Sequence, residues 1–324
     1  MGTARLATGT ERRQELLGRL ANRTLRVAVL LGGFSSEREV SLRSGKAVAD
    51  ALTAAGFPTT RVDVMSERLE GVDADAVDVA FLALHGRFGE DGGVQAALEA
   101  RGLVYTGSGV EASRVAMDKV ASKERFRAAG VPTADWTVVS APGPVTTRNL
   151  ALPMALPVVV KPRAEGSSVG VSIVRTEGEY ADAVAKAVGL GGEALVERFV
   201  PGREMTVGIL GERRLPVIEL RPVREFFDYE AKYQDARTEY IVDPPLALEE
   251  RRAIQEAAWA AHEALGCRGM SRVDVILGKE GPVVLEVNTI PGLTERSLLP
   301  KSARAAGMEF TALCAEILRL AIVA

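Results

Sequence analysis

Acidic and amide side chains alternate with apolar ones in a stretch whose halves, SRVDVIL and PVVLEVN, are joined by GKEG. Because side chains alternate along a strand, Arg272 and Asp274 share one face of the first half. Glu286 and Asn288 likewise share one face of the second. Antiparallel pairing about the glycine-rich joint sets Asp274 opposite Glu286. Oxygen ligands of this kind suit magnesium that carries nucleotide phosphates, so Asp274, Glu286 and Asn288 are predicted metal ligands.

The apolar side chains of this hairpin are predicted to take the opposite, buried face: Val273, Val275, Leu285 and Val287. Two acids on an otherwise apolar hairpin are costly unless a cation neutralises them. The competing interpretation is a solvated face with an Arg272–Asp274 salt bridge, since such surface pairs are common. The turn-rich loop TIPGLT that follows favours a functional site, because catalytic groups collect on loops at strand ends.

A glycine-rich segment, GSSVG at residues 166–170, lies between the apolar runs VVVKP and VGVSIV. It is predicted to be a hairpin tip whose exposed amides could cradle phosphates, although a plain turn is the competing interpretation. Lys161 ends the incoming strand, and a compact ammonium charge suits a phosphate. The sequence has neither a GxxxxGK[ST] motif nor a GxGxxG fingerprint, so a P-loop or Rossmann phosphate site is not indicated.

The composition is typical of a globular enzyme. The chain has 324 residues, of which 47% are hydrophobic and 26% charged, and its formal net charge is -3. This charge gives no general attraction to nucleic acid or to anionic membranes, so locally placed cations must bind any phosphate. Two cysteines without CxxC spacing indicate neither a disulfide framework nor a zinc site, and a reducing cytoplasm is expected.

Three units and an extension are predicted from the order of strand and helix patterns. Residues 1–23 are expected to be a helical or disordered extension without the features of a secretory signal. Residues 24–107 read as a small α/β unit with a parallel sheet. Residues 108–198 and 199–324 read as α+β units with antiparallel pairing.

The predicted strands lie at residues 26–31, 60–64, 77–84, 156–160, 169–174, 194–199, 205–210, 215–220 and in the acidic hairpin. The predicted helices lie at 37–55, 93–100, 109–130, 178–188 and 246–265. A polar aromatic loop is expected across residues 224–240. The sequence thus combines an α/β unit with a lysine-bearing strand, a glycine hairpin and an acidic hairpin. This combination is typical of an ATP-grasp fold.

The motifs resemble those of the D-alanine–D-alanine ligase family and occur in the same order between residue 26 and about residue 300. The matching stretches are LLGGFSSEREVSLRSG, LALHGRFGEDGGVQ, YTGSGVEAS with MDK, VVVKPRAEGSSVG, ERFVPGREMTV, FFDYEAKY, SRVDV and LEVNTIPGLTERSLLP. The resemblance implies an ATP-grasp enzyme that joins two D-alanines through an acyl phosphate for peptidoglycan precursor synthesis. It also implies ATP with two magnesium ions, for which manganese can substitute, and a cytoplasmic homodimer.

The resemblance assigns one group of residues to the nucleotide. Lysines at Lys119, Lys161 and Lys232 would bind phosphates together with the loop residues Glu165 and Ser168. Within residues 197–200, Glu197, Phe199 and Val200 would line the adenine. Glu204 would hold the ribose, although the bare sequence reads it as a plain strand-edge acid.

The resemblance assigns a second group to the amino-acid substrates. Glu37 would bind the ammonium of the first D-alanine, supported by Ser167 and Tyr233, with His85 nearby. Arg272 and the Gly292 amide would stabilise the tetrahedral oxyanion. Ser297 and Leu298 would receive the carboxylate of the second D-alanine. From the residues alone, Glu37 is equally a helix-start acid, His85 a structural histidine and Ser297 a helix cap.

Two positions depart from the family pattern. Arg163-Ala164 precedes the glycine loop where Ser-Arg is frequent, and Arg296 stands beside Ser297 where a histidine or small residue is common. Tyr233 fits the alanine-forming type. The alternatives are a related ligase for another amino or hydroxy acid, such as D-serine or D-lactate, and a non-catalytic ATP-binding regulatory protein.

Overall fold

The structure is a computed structural model that describes residues 9–140, 150–166, 168–221 and 238–324. Within these ranges the chain forms three β-sheets flanked by helices. The mixture of one parallel and two antiparallel sheets agrees with the predicted α/β and α+β class. None of the described helices is long and apolar enough to cross a membrane.

The first sheet contains four parallel strands in the order β2-β1-β3-β4. Its strands and helices are, in chain order, α1 Gly9–Ala21, β1 Val27–Leu31, α2 Arg38–Ala54, β2 Thr59–Asp63, β3 Val79–Leu82, α3 Gly93–Glu99 and β4 Val104–Tyr105. Every residue of β1 and β3 is buried, as is usual for central strands that are covered on both faces. The carboxyl ends of these two strands open toward the loops that carry Glu37 and His85.

The second sheet is antiparallel, with the order β5-β8-β6-β7. The elements of this region are α4 Val110–Met117, α5 Lys119–Ala128, β5 Trp136–Ser140, β6 Val158–Pro162, β7 Ser172–Val174, α6 Glu177–Gly191 and β8 Glu193–Arg198. The prediction of one helical stretch across 109–130 was wrong at Asp118. This residue has extended backbone, and its carboxylate accepts hydrogen bonds from Val120 N at 3.0 Å and Ala121 N at 3.1 Å, so it begins a new helix.

The third sheet has the order β12-β11-β9-β13-β14, with β10 paired to β9. Its elements are β9 Gly202–Leu210, β10 Arg213–Arg214, β11 Ile218–Arg221, β12 Glu239–Val242, α7 Leu248–Ala264, β13 Met270–Gly278 and β14 Gly281–Asn288. Most of the loop expected across 224–240 lies outside the described residues. Its described end was predicted wrongly, because Glu239 and Tyr240 pair with β11 as a strand.

The acidic hairpin has the predicted register, with Asp274 opposite Glu286. A β-bulge then shifts the pairing between Asp274 and Val275, so that Val275 faces Val284. The prediction that Leu285 joins the buried face was therefore wrong. Val284 is fully buried in the core in its place.

Two helices lie at the C-terminal side of the described chain. Helix α8, Leu298–Ala305, packs on β9 and β12 of the third sheet, and helix α9, Phe310–Val323, packs on the first sheet and α2. Leu313 and Ile317 of α9 are at most 1% exposed and belong to the same apolar cluster as β1 and β3. Helix α1 lies beside α9, where Arg13 donates a hydrogen bond of 2.7 Å to the Ala324 carbonyl.

Candidate active site

A cavity of about 700 Å³ opens where the three sheets meet. It is bounded by the start of α2, the loop after β3, the start of α5, the glycine loop and the segment after β14. Ten predicted site residues line it: Glu37, His85, Lys119, Glu165, Arg272, Glu286, Asn288, Gly292, Ser297 and Leu298. Residues from both groups, nucleotide and amino acid, thus meet in one space.

The other described site residues that were predicted do not line this cavity: Lys161, Ser168, Glu197, Phe199, Val200, Glu204 and Asp274. Ser167, Lys232 and Tyr233 lie outside the described residues. Val200 is brought to the third sheet, since a β-carbon built on Gly278 lies 3.3 Å from Val200 Cγ1. The Arg175 guanidinium lies 5.8 Å from the centroid of the Phe199 ring.

Glu37 lies between the glycine loop and the loop after β3. It takes the N-cap position of α2, as the helix-start interpretation required, but its side chain makes no capping hydrogen bond. A β-carbon built on Gly166 lies 3.3 Å from Glu37 Oε2, and one built on Gly86 lies 2.8 Å from it. Glycine is thus required at 86, where φ is +70° and no room remains for a side chain. Glu37 is 8% exposed, and its carboxylate lies close to the glycine loop that is predicted to bind phosphates.

Glu90 lines the same cavity and was missed in the sequence. Its Oε2 accepts a hydrogen bond of 2.6 Å from Gly86 N. Burial, and then the nearby Glu37 carboxylate, raise the pKa of Glu90 well above the ordinary value of 4.5. The only sequence signal was an acid in the HGRFGEDG loop directly after an apolar strand.

His85 is a buried histidine at the cavity wall, 6% exposed. Burial, and then the Arg272 charge, lower its pKa to about 4. Its Nε2 lies 3.3 Å from Ser44 Oγ, which in turn accepts a hydrogen bond of 3.3 Å from Leu293 N. His85 is therefore neutral at physiological pH and connects α2 with the loop of Gly292, as a structural histidine does, and its role toward a substrate stays a prediction.

The Arg272–Asp274 salt bridge anticipated as the competing interpretation is present, but it is not solvated. Arg272 Nε and Nη2 donate to the Asp274 carboxylate at 2.9 and 2.6 Å, and the two side chains are 14% and 9% exposed. Thr206 Oγ1 donates a further hydrogen bond of 2.7 Å to Asp274 Oδ1. The bidentate pairing with Asp274 therefore fixes the orientation of the Arg272 guanidinium at the cavity, and Thr206 in turn holds the Asp274 carboxylate.

Asp274, Glu286 and Asn288 supply oxygen donors of the kind that magnesium prefers. Glu286 and Asn288 face the cavity, and Asn288 Oδ1 accepts a hydrogen bond of 3.0 Å from Ile290 N. The described ranges contain no group of three or more His, Cys, Asp or Glu residues arranged to hold a metal. The chemistry of the predicted set, two carboxylates and one amide on adjacent strands, suits magnesium; Asp274 is opposite Glu286 in register, and Asn288 is opposite Arg272.

Lys119 lies at the start of α5 and is joined to the glycine loop. Its Nζ donates to the Glu165 carbonyl at 2.5 Å, and its backbone N donates to the Arg163 carbonyl at 3.1 Å. Arg163, which departs from the family pattern, donates from Nε and Nη2 to Asp118 at 2.7–3.0 Å and from Nη1 to Glu193 at 2.6 Å. The arginine fixes the base of the loop against α5 and β8.

Lys161 and Glu197 form a buried ion pair beside the cavity. Burial lowers the pKa of Lys161, but Glu197 more than offsets it and the pKa is raised, with smaller contributions from Glu286 and Glu204. Glu197 has a pKa of about 2, because Lys161 and Lys123 outweigh the effect of its burial. Lys161 thus lies within electrostatic reach of the strands that carry the predicted metal and ribose residues. Lys123 was missed in the sequence.

Ser297 takes the N-cap position of α8, but its side chain makes no capping hydrogen bond. Its Oγ instead accepts from Thr294 N at 3.1 Å and lies 2.9 Å from Thr294 Oγ1. A β-carbon built on Gly292 would lie 2.9 Å from Ser297 Oγ, so Gly292 and Ser297 are close neighbours. Arg296, the second departure, lines the cavity beside them.

An antiparallel sheet with a lysine-bearing strand and a glycine loop, a second antiparallel sheet with an acidic hairpin, and a shared cavity define an ATP-grasp enzyme. Family models described as "D-ala D-ala ligase C-terminus" and "D-ala D-ala ligase N-terminus" match residues 126–319 and 59–108. The chain belongs to the D-alanine–D-alanine ligase family.

Named relatives and solved structures agree with this assignment. D-alanine–D-alanine ligase of Geotalea uraniireducens is 47% identical over 300 residues, which cover 92% of this chain and 96% of the relative. That of Anaeromyxobacter dehalogenans is 48% identical over 296 residues, covering 90% and 96%. The crystal structure of the Bacillus anthracis ligase complexed with ATP is 32% identical, with a TM-score of 0.82 over 93% of this chain and 98% of that one.

Proposed function

We propose that this protein joins two D-alanines to D-alanyl-D-alanine with conversion of ATP to ADP and phosphate. The observation that carries the proposal is the meeting of Glu37, Lys119, Arg272 and Glu286 in one cavity, from the start of α2, the start of α5 and the acidic hairpin. An ammonium site, a phosphate site, a guanidinium and an acidic metal site are what this reaction requires. The product serves peptidoglycan precursor synthesis, and thereby cell wall formation and cell shape.

The first step is phosphoryl transfer to the first D-alanine. A carboxylate oxygen of the amino acid attacks the γ-phosphorus of ATP, and the bond to the β–γ bridging oxygen breaks, so that ADP leaves and an acyl phosphate forms. Glu37 holds the ammonium of this substrate. Burial and the Glu37 carboxylate both raise the pKa of Glu90, which favours its neutral form beside the charged Glu37.

The second step is attack of the second amine on the acyl carbon. A tetrahedral oxyanion forms, and phosphate then leaves as the peptide bond is completed. Arg272 and the Gly292 amide stabilise the developing negative charge. Ser297 and Leu298 receive the carboxylate of the second D-alanine, and Arg296 adds a positive charge at the same wall of the cavity.

The nucleotide is bound by Lys119, Lys161 and the loop amides around Glu165 and Ser168, with Glu197, Phe199 and Val200 at the adenine and Glu204 at the ribose. Ser167, Lys232 and Tyr233 belong to this proposal through the family resemblance. Asp274, Glu286 and Asn288 would hold two magnesium ions, for which manganese can substitute. When bound, the metal would supply neutralisation of the charge on the transferring phosphate.

Substrate-dependent ADP release by the purified protein tests the function. We expect turnover with D-alanine, release of one phosphate per dipeptide and loss of turnover when EDTA removes divalent metal. A panel of D-serine, D-lactate and L-alanine separates the alanine-forming reaction from a related ligase. ATP turnover indifferent to D-alanine would exclude the proposed reaction, and ATP binding without any turnover would favour a regulatory protein.

We also propose a homodimer in the cytoplasm, from the family resemblance, and domains that divide near residues 107–108 and 198–199, from the order of strand and helix patterns. Sedimentation equilibrium should give twice the chain mass of 34.4 kDa. A monomer at micromolar concentration would contradict the dimer. Limited proteolysis that cuts first elsewhere than near these two positions would contradict the domain boundaries.

A further inference from the structure

Lys123 is a buried lysine of α5 that does not line the cavity, with 1% of its surface exposed. Its Nζ lies 2.6 Å from Thr133 Oγ1, 3.2 Å from the Ala134 carbonyl and 2.7 Å from Glu197 Oε1. Burial lowers the pKa of this ammonium. Lys123 Nζ is nevertheless surrounded by three oxygens, which matches the three donors of a charged ammonium and not a neutral amine.

Glu197 joins this lysine to the nucleotide lysine. Its Oε2 pairs with Lys161, while Oε1 contacts Lys123 as an ion pair without the alignment of a hydrogen bond. Two ammonium groups therefore surround one carboxylate, and the group of three carries a net charge of about one positive unit. Of the two lysines, Lys161 is the one whose charge a ligand can reach, because its side chain is 12% exposed and that of Lys123 only 1%.

A second set of contacts ties Lys123 to the acidic hairpin. Thr133 Oγ1 accepts from Lys123 and donates its own proton to the Val284 carbonyl at 3.0 Å. Val284 N donates to the Pro132 carbonyl at 2.8 Å. Val284 belongs to β14, two positions before Glu286. Lys123 is therefore at the junction between the sheet of Lys161 and the strand of a predicted metal ligand.

We propose that Lys123 is a positioning residue for nucleotide binding, acting through Glu197 on Lys161. It occupies one oxygen of Glu197, so that Lys161 retains positive charge for the phosphates. Without it, Glu197 and Lys161 neutralise each other and the lysine is drawn toward the carboxylate. This inference rests on the proposed ATP-dependent function.

Calorimetric titration of the full-length chain with ATP and magnesium, and separately with adenosine, tests the proposal. For Lys123→Met we expect ATP to bind about tenfold or more weakly, and adenosine to change less than about threefold, because only ATP has phosphates. If Lys123→Met does not fold, Lys123→Gln is used in its place, because it keeps a donor toward Thr133. It should show the same difference between the losses for ATP and for adenosine. In Lys123→Met with Glu197→Gln, the ratio of ATP affinity to adenosine affinity should recover, because the carboxylate that neutralises Lys161 is gone and any lost contact to the adenine weakens both ligands alike.

Lys186→Met is the matched control, since Lys186 is exposed on α6 in the same region of the chain. Equal losses for ATP and adenosine, or no recovery of the ATP-to-adenosine affinity ratio in the double variant, would show a merely structural lysine and overturn the proposal. Unchanged ATP affinity in folded single variants would do the same. Failure of the proposed function is read separately, from wild-type protein alone, as turnover that ignores D-alanine. Absence of ATP binding by the wild type would remove both.

Discussion

Arg272 combines two tasks at the scale of single residues, since its guanidinium is fixed by Asp274 and also faces the cavity. We expect Arg272→Lys to lower kcat about 100-fold, because a point charge without the planar fork cannot keep both the pairing with Asp274 and the position of the proposed oxyanion donor. The KM values for D-alanine should change much less. Steady-state ADP release checks this result.

The matched control for this variant is Arg213→Lys, since Arg213 is exposed on β10. Its kcat should equal that of the wild type. A kcat for Arg272→Lys within about threefold of wild type would show that Arg272 only neutralises Asp274.

His262 predicts a pH dependence of stability that is separate from catalysis. It is 3% exposed, its Nδ1 lies 2.7 Å from Ser271 Oγ, and burial lowers its pKa from 6.5 to about 4. The folded protein therefore binds fewer protons than the unfolded chain between these values. Stabilisation is complete above about pH 6.5 and is lost as the pH falls toward 4, by about 3 kcal/mol at most.

Urea unfolding at pH 5, 6, 7 and 8 measures this slope. His262→Asn should reduce the loss of unfolding free energy between pH 7 and pH 5 relative to the wild type, although it lowers stability at pH 7. His85 adds a similar dependence, since its pKa is also about 4. A slope unchanged by His262→Asn would assign the pH dependence to other groups.

The site residues that could be predicted are those with a periodic pattern. The opposition of Asp274 and Glu286 follows from alternation along two strands and one tight turn. Glu90 and Lys123 could not be found, because an isolated charged residue gives no pattern and its partner lies far away along the chain. The roles of Glu37 and Ser297 came from resemblance, since spacing alone also allowed a helix-start acid and a cap.

At the scale of elements, Arg163 joins the β6–β7 loop to the junction of α4 and α5 and to β8. We expect Arg163→Ser to raise the KM for ATP roughly two- to fivefold with little loss of kcat. The reason is that the ion pairs are partly exposed and individually weak, while the loop they hold carries Glu165 and contacts Lys119. Initial rates at varied ATP measure the effect.

Arg252→Ser is a suitable comparison, because Arg252 is 78% exposed and pairs with Glu256 within α7. It should leave the KM for ATP unchanged. If Arg163→Ser also left it unchanged, then the arginine would not control the loop. Asp118→Asn keeps an oxygen for capping α5 and should resemble Arg163→Ser.

Among the elements, most of the longer strands and helices were predicted with boundaries that differ by a few residues, whereas β4, β5, β10, β12 and α9 were not predicted. The stretch 109–130 has helical residues throughout, so its division by Asp118 depends on contacts with Arg163 from another part of the chain. The bulge after Asp274 also has no sequence signal such as a glycine, and it exchanged Leu285 for Val284 in the core. Tertiary contacts decided both features.

At the scale of the whole molecule, α9 makes the first sheet dependent on a distant part of the chain. Leu313 is fully buried there. We expect Leu313→Ala to lower the free energy of unfolding by about 2–5 kcal/mol through lost burial and an unfilled cavity. Urea unfolding followed by circular dichroism measures the change.

Val323→Ala serves as the control on the same helix, because Val323 is 36% exposed. It should change the unfolding free energy by less than about 0.5 kcal/mol. If Leu313→Ala were equally mild, the packing of α9 against the first sheet would not contribute to stability.

The return of α9 to the first sheet has a consequence for synthesis of the protein on the ribosome. Strand β4 ends at Tyr105, whereas α9 begins at Phe310, about 200 residues later. At a translation rate of about 5–20 residues per second, α9 is synthesised roughly 10–40 s after the strands that it covers. During this interval an apolar face is open to other chains, so the emerging polypeptide is a natural client for chaperones that shield such surfaces.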